Sequence, residues 1–179
     1  MFRLAVYIGF FLFFQKDEPV ITWSESYKLS WSDFRAAPDN KTSAVATTAS
    51  GITLGSSIRQ TDTEVISYTA TVKAHFYPDK SWYKSQLANA HVLGHEQLHY
   101  DITELFARRL RQRISKLEVS NAIKNDLRSL HLKINDDLAH MQDTYDTETN
   151  YSRNVEQQTA WQGFISQELD KLVTFKSVD

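Results

Sequence analysis

Cysteine is absent from the 179 residues. That excludes disulfides, Cys-based zinc sites, a cysteine nucleophile and a lipid-modified N-terminal cysteine. Any metal must be held by His and carboxylate side chains. Proline and glycine are scarce, with three and five residues, and they are unevenly placed. Pro19, Pro38 and Pro78 all lie before residue 79, and beyond it only Gly94 and Gly163 remain of the glycines. Helix-breaking residues therefore thin out in the C-terminal half. An excess of one charge sign is also missing. A net charge of -2, with no acidic or basic tail, argues against nucleic acid as a partner. No apolar run reaches the roughly 20 residues needed to span a bilayer. What is present, 41% apolar and 23% charged residues, suits one globular domain with a sizeable core.

The N-terminus is the exception to this ordinary composition. Met1-Phe2-Arg3 precedes an uncharged run from Leu4 to Phe14. A basic start and a short apolar run are the layout of an export signal. No small-x-small cleavage site follows, so the segment reads as an export signal or an N-terminal anchor. Residues 1–16 are assigned to it and residues 17–179 to a single domain. Export from the cytoplasm follows. Membrane association, if any, would run through this segment only.

The class is α+β: a small antiparallel sheet in the N-terminal half, then three helices. Ala44 to Ile58 and Glu64 to Tyr77 read as strands, joined at Gln60-Thr61-Asp62 in a hairpin. In the second, Val65, Ser67, Thr69, Thr71 and Lys73 alternate with Ile66, Tyr68, Ala70, Val72 and Ala74, the pattern of a half-buried strand. Trp23 to Phe34 adds a further short strand. The first helix is expected from about Trp82 to Leu117. The second carries Ile123, Leu127, Leu130, Ile134, Leu138, Met141 and Tyr145 at steps of three and four, one apolar stripe. The third has Trp161, Ile165, Leu169 and Leu172 at like steps, with Asn154 and Gln157 as its N-terminal cap.

His95-Glu96-Gln97-Leu98-His99 is an H-E-x-x-H motif inside the first helix. Residues i and i+4 share a helical face one turn apart. Both imidazoles can therefore reach one zinc ion, while Glu96, rotated off that line, can take a proton from a water at the open position. The motif is short enough to arise by chance, so its context decides. Val92, Leu93, Gly94, Gln97, Leu98 and Tyr100 are uncharged, as a buried helix requires. His91 lies one turn before His95 and is read as a pocket wall, a hydrogen-bonding support of the site or a structural core histidine, because a straight helix cannot wrap three turns around one small ion. His75, His131 and His140 are read as structural.

A catalytic zinc takes three protein ligands and keeps one position open. The third cannot come from the same helix, where Ile102 and Phe106 continue the face. If the first two helices form an antiparallel hairpin, the matching height falls near position 141, give or take about 2–4 residues. His140, Asp143, Asp146 and Glu148 are the ligands available there. Tyr145 to Asn150, with two carboxylates, stands out at the end of the second helix.

Gly94 to Ile102 with Glu104-Leu105 and Ala107-Arg108 resembles a bacterial family of unknown function, whose members are described as predicted secreted zinc-dependent proteases. The resemblance continues upstream in Leu29-Ser30-Trp31-Ser32-Asp33-Phe34, Phe76 and Ser81-Trp82. Downstream it continues in Tyr145-Asp146, Glu148-Thr149, Gln158 and Trp161. It implies a secreted or periplasmic, zincin-like zinc protein of the bacterial cell envelope with presumed peptidase activity. His95, Glu96 and His99 match its motif, and Asp146 and Thr149 its second block. A His usually follows that block, and Tyr151 stands in its place here.

The expected function is therefore a zinc metallopeptidase acting on a peptide or protein substrate. One zinc ion is held by His95, His99 and Asp146, with Glu96 as general base. Glu148 and Tyr151 are the other candidates for third ligand, and Asp146 could instead hold a ligating His by a hydrogen bond. His91, Tyr100 and Tyr151 are candidates to stabilise the oxyanion, and the hairpin edge could take an extended peptide by strand addition. The competing reading is a non-catalytic zinc-binding module of the cell envelope; a weaker one is a hydrolase for a non-peptide amide or ester.

Overall fold

The computed structural model describes residues 18–177. The expected export signal at residues 1–16 lies outside them. Five strands precede three helices: β1 (Ile21–Thr22), β2 (Ala46–Thr47), β3 (Ser50–Gln60), β4 (Val65–Phe76), β5 (Trp82–Tyr83), α1 (Ala90–Ile114), α2 (Ile123–Glu148) and α3 (Val155–Lys171). The fold is α+β. No helix among the described residues is long and apolar enough to cross a membrane.

β3 and β4 form the expected hairpin, and β1 pairs with the far side of β4, giving an antiparallel sheet in the order β1-β4-β3. The register sets Ile52 against Ala74 and Leu54 against Val72. From Tyr68 onward the alternation read in β4 holds, with Val72, Ala74 and Phe76 buried. Before that a bulge intervenes. Gln60 pairs with Val65 while Arg59 pairs with Ser67, so Ile66 is the extra residue and is exposed. One additional residue flips the faces of the strand end.

Two expected elements differ. Trp23 to Phe34 is not a strand. Only Ile21–Thr22 pairs, and Trp31–Asp33 forms a 3-10 turn. Asp33 accepts from the Ser30 amide at 2.7 Å and from the Tyr27 hydroxyl at 2.8 Å, local bonds that compete with a ladder. Likewise, α1 begins at Ala90 rather than near Trp82. Trp82 and Tyr83 are spent on β5, paired with β2, and Asn89 caps the helix by accepting from the Val92 amide at 3.0 Å. The Ala44–Ile58 segment is accordingly two strands in two sheets. They break at Thr48-Ala49, where the Ala49 amide donates to Ser81 Oγ.

α1 is the centre of the packing and contacts the sheet, α2 and α3. Its Ile102, Leu105, Ala107 and Leu110 are fully buried, and one apolar cluster runs from Trp23 and Phe76 through α1 to Ile134, Tyr145 and Ile165. A charged network crosses this core. Glu104, with no exposed surface, accepts from Arg108 Nε at 3.0 Å and Arg111 Nη1 at 2.9 Å. Arg108 also donates to the Leu169 carbonyl, and Arg111 to those of Val72 and Phe175. The sheet, α3 and the C-terminal turn are thus tied to one carboxylate. Removing it leaves a buried guanidinium uncompensated. Glu104→Ala is expected to cost roughly 3–5 kcal/mol in denaturant unfolding, and Glu104→Gln, which keeps one acceptor oxygen, clearly less. Equal stability of Glu104→Ala and the wild type would refute this.

Candidate metal centre

α1 is uninterrupted through the H-E-x-x-H turn, so His95 and His99 project from one face, both buried. Their Nε2 atoms meet the same oxygen. Asp146 Oδ1, on the last turns of α2, lies 3.0 Å from His95 Nε2 and 2.9 Å from His99 Nε2. One ligand atom from each of the three residues lies within 4.8 Å of the others. Donors arranged tetrahedrally around a zinc-sized ion at about 2.0–2.1 Å stand roughly 3.3 Å apart. The observed separations are a few tenths of an ångström shorter, a difference that a small withdrawal of the carboxylate removes. The donor set therefore fits a metal ion. Burial raises the Asp146 pKa, but the hydrogen bonds from His95 and His99 and their charge outweigh it and hold the carboxyl well below the usual carboxylate range.

Tyr145 fixes the two rings. It is fully buried, stacks on His95 with ring centroids 4.5 Å apart and meets His99 edge-on at 5.0 Å. Sequence reasoning placed Tyr145 correctly in the apolar stripe of α2. It missed the second role, because a stripe residue carries no signal of which ring it covers. Below His99, Thr103 Oγ1 and Gln142 Nε2 donate to its carbonyl.

A cavity of about 710 Å³ opens on this cluster and is lined by His91, Glu96, Gln142, Tyr151 and the segment from Ser43 to Thr48, besides the three converging residues. Glu96 is buried to 5% exposure, yet its carboxylate has no hydrogen-bond partner among the described residues and lines the cavity. Opposite it, the chain between α2 and α3 takes an unusual course. Asn150, Tyr151 and Ser152 all adopt left-handed backbone, with φ of 47°, 53° and 69°. Non-glycine residues pay on the order of 1–2 kcal/mol each for that conformation. The turn is held by the Tyr151 amide donating to the Asp146 carbonyl at 2.8 Å and by His91 Nε2, 2.6 Å from the Ser152 carbonyl.

Several expectations are now decided by position. Glu148 points away from the cluster, its Oε2 accepting from Trp161 Nε1 at 2.8 Å. Tyr151 lines the cavity but is not among the three converging residues. Tyr100 is corrected as an oxyanion candidate: it is fully buried and donates to the Ile21 carbonyl at 2.6 Å, on the sheet side of α1. Of the readings open for His91, the pocket wall is the one observed. His75 is hydrogen-bonded between Thr22 and Thr53, and His131 reaches the Ile52 carbonyl. The β3–β4 hairpin does not line the cavity; β2 and its flanks do.

An H-E-x-x-H helix closed by a carboxylate from the next helix, beneath a small antiparallel sheet, defines an α+β protein with a metal-capable site. The chain belongs to the family described as bacterial protein of unknown function (DUF922), whose model matches residues 24–154. The matched region includes His95, Glu96, His99 and Asp146 and stops before Gln158 and Trp161. No curated protein and no solved structure matches the chain.

About one metal ion per chain is expected, because among the described residues one such cluster is present. His95→Ala or His99→Ala should abolish tight binding. Asp146→Ala should weaken it by more than the roughly 10–100-fold typical of losing an outer hydrogen-bond partner. Equilibrium dialysis with elemental analysis measures both. A full ion in the His95→Ala/His99→Ala double variant would eliminate this site.

Proposed function

We propose that the protein is an exported zinc-dependent metallopeptidase. The observation that supports this most directly is the convergence of His95, His99 and Asp146 at the floor of a cavity that Glu96 also lines. Two imidazoles and a carboxylate, with no thiolate in the chain, suit zinc, and three protein donors leave a coordination position for chemistry. Bound there, zinc would supply Lewis acidity, bringing the pKa of a water towards ~7 and polarising a carbonyl.

The residues around it divide the remaining work. Glu96 accepts the proton of the attacking water and returns it to the leaving amine nitrogen. Buried and without a hydrogen-bond partner among the described residues, the carboxylate is free to take that proton. Tyr151 is the one donor of the three considered whose hydroxyl is both uncommitted among the described residues and on the cavity wall. It donates to the carbonyl oxygen as negative charge builds there. The left-handed turn sets its direction. Substrate binding is assigned to β2 rather than to the hairpin. The Lys84 amide donates to the Val45 carbonyl at 2.8 Å. Polar groups alternate sides along a strand, so those of Ala46 face away from β5. An extended peptide can pair with that edge. Export through residues 1–16 completes the reading.

The test separates catalysis from metal binding. Glu96→Gln keeps shape and removes the base. Zinc content and melting temperature should stay near wild type, while turnover of a peptide substrate falls by about 10²–10⁴-fold. Tyr151→Phe should lower kcat by about 10²–10³-fold with little change in KM. Undiminished turnover in Glu96→Gln would rule out its role. A zinc-loaded wild type that cleaves nothing in a broad peptide library would favour the non-catalytic zinc-binding module.

A further inference from the structure

Among the described residues, two buried side-chain atoms have no hydrogen-bond partner: His95 Nδ1 and Gln158 Oε1. They are chemically complementary. A neutral imidazole that offers Nε2 as a ligand carries its proton on Nδ1 and needs an acceptor there. An amide oxygen is such an acceptor.

Gln158 packs on the turn of α1 that carries His95. Gln158, on the first turn of α3 and 2% exposed, donates through Nε2 to the His91 carbonyl at 3.1 Å. That contact orients the amide, since exchanging its ends would set two oxygens against each other. The His91 carbonyl is also the one that receives the amide of His95 in the helical ladder. Between them Gly94 presents only backbone, and a Cβ there would touch the Gln162 and Gln158 amides at 3.6 and 3.9 Å. α3 therefore lies against α1 at the turn that carries His95. The far edge of the His95 ring faces Asp146, and Tyr145 covers one ring face by stacking. Neither offers an acceptor to Nδ1.

We infer that Gln158 is the positioning residue of His95: its Oε1 accepts the Nδ1 proton, after a small shift of the two side chains or across one water, and holds the ring in the tautomer that presents Nε2 to the metal. The inference rests on the metal-binding part of the proposed function and not on catalysis. It gives α3, which lies beyond the residues matched by the family model, a part in the site.

Gln158→Leu keeps the volume and removes the acceptor. Gln158→Glu keeps an acceptor and removes the donor to His91. Zinc affinity of the full chain is measured by chelator competition, with melting of the metal-free proteins as a folding control. The imidazole N–H resonances of the zinc-loaded forms are read by ¹H–¹⁵N NMR. Gln158→Leu is expected to lose roughly 10–100-fold in zinc affinity and to shift the His95 Nδ1–H resonance or expose it to exchange, while Gln158→Glu stays within a few-fold of wild type. Equal affinity in wild type and Gln158→Leu, an unchanged Nδ1–H resonance, or an equal fall in both variants would overturn the inference. A wild type that takes up no zinc overturns it together with the metal reading. A zinc-loaded wild type that cleaves nothing, with the Leu–Glu contrast intact, overturns only the peptidase reading.

Discussion

Two imidazole nitrogens meeting one oxygen of Asp146 is the constraint on which the arrangement around the cavity depends. It demands that α1 and α2 run antiparallel at a fixed relative height, because a slip of one helical turn, about 5.4 Å, would part the carboxylate from one of these two imidazoles. The connection between the helices is fastened accordingly. Tyr68 donates to the Ile114 and Leu117 carbonyls, closing the end of α1, and Asn121 bonds both the Val65 amide and the Thr63 carbonyl. The hairpin of the sheet thus acts as a clip on the far end of the helix pair. The metal-capable site and the β3–β4 turn lie at opposite ends of α1 yet serve the same registration.

The side-chain periods made much of this legible. An H-E-x-x-H run among uncharged residues specified a buried helix with two imidazoles on one face, and the stripe from Ile123 to Tyr145 specified the partner helix. The height of Asp146 was less accessible. Counting from the expected turn pointed near position 141, five residues short. The residue facing the middle of the motif shows why. His95 to His99 is centred on Gln97, and the point equidistant from Gln97 and Asp146 falls between Asn121 and Ala122, not midway between the helix ends expected from the periodicity. α1 ends at Ile114, 17 residues after Gln97, whereas α2 begins at Ile123, 23 residues before Asp146; the two helix ends therefore stand at different heights, and nothing in the apolar spacing records that.

Other features were hidden for different reasons. Trp82 and Tyr83 precede the helix without a glycine or proline to stop it, so the boundary depended on a strand pairing with Ala46–Thr47 some 36 residues earlier. Likewise Thr48-Ala49 breaks the strand segment only because Ser81 and Glu96 supply partners from elsewhere. Such boundaries are set by tertiary hydrogen bonds rather than by local preference. The left-handed turn is the extreme case. Asn150 tolerates that backbone, but Tyr151 and Ser152 do not favour it, and only the surrounding contacts explain it.

That turn is best understood through what it joins. Thr149, fully buried, bonds back to the Tyr145 carbonyl at 2.7 Å and accepts the Asn154 amide on its own carbonyl at 2.8 Å. The chain is therefore reversed within a few residues of Asp146, and α3 starts directly against the first turns of α1. A relaxed, longer connection would avoid the strained dihedrals but would let α3 drift away from His91 and Gly94. Strain of this kind persists only where neighbouring structure over-determines it. Here the neighbours are the carbonyl of Asp146, the ring of His91 and the cap of α3. The same contacts leave the Tyr151 side chain 60% exposed at the cavity. Rigid, buried groups hold the converging nitrogens and oxygen, while the one exposed aromatic of the turn is left facing the space where a ligand would sit.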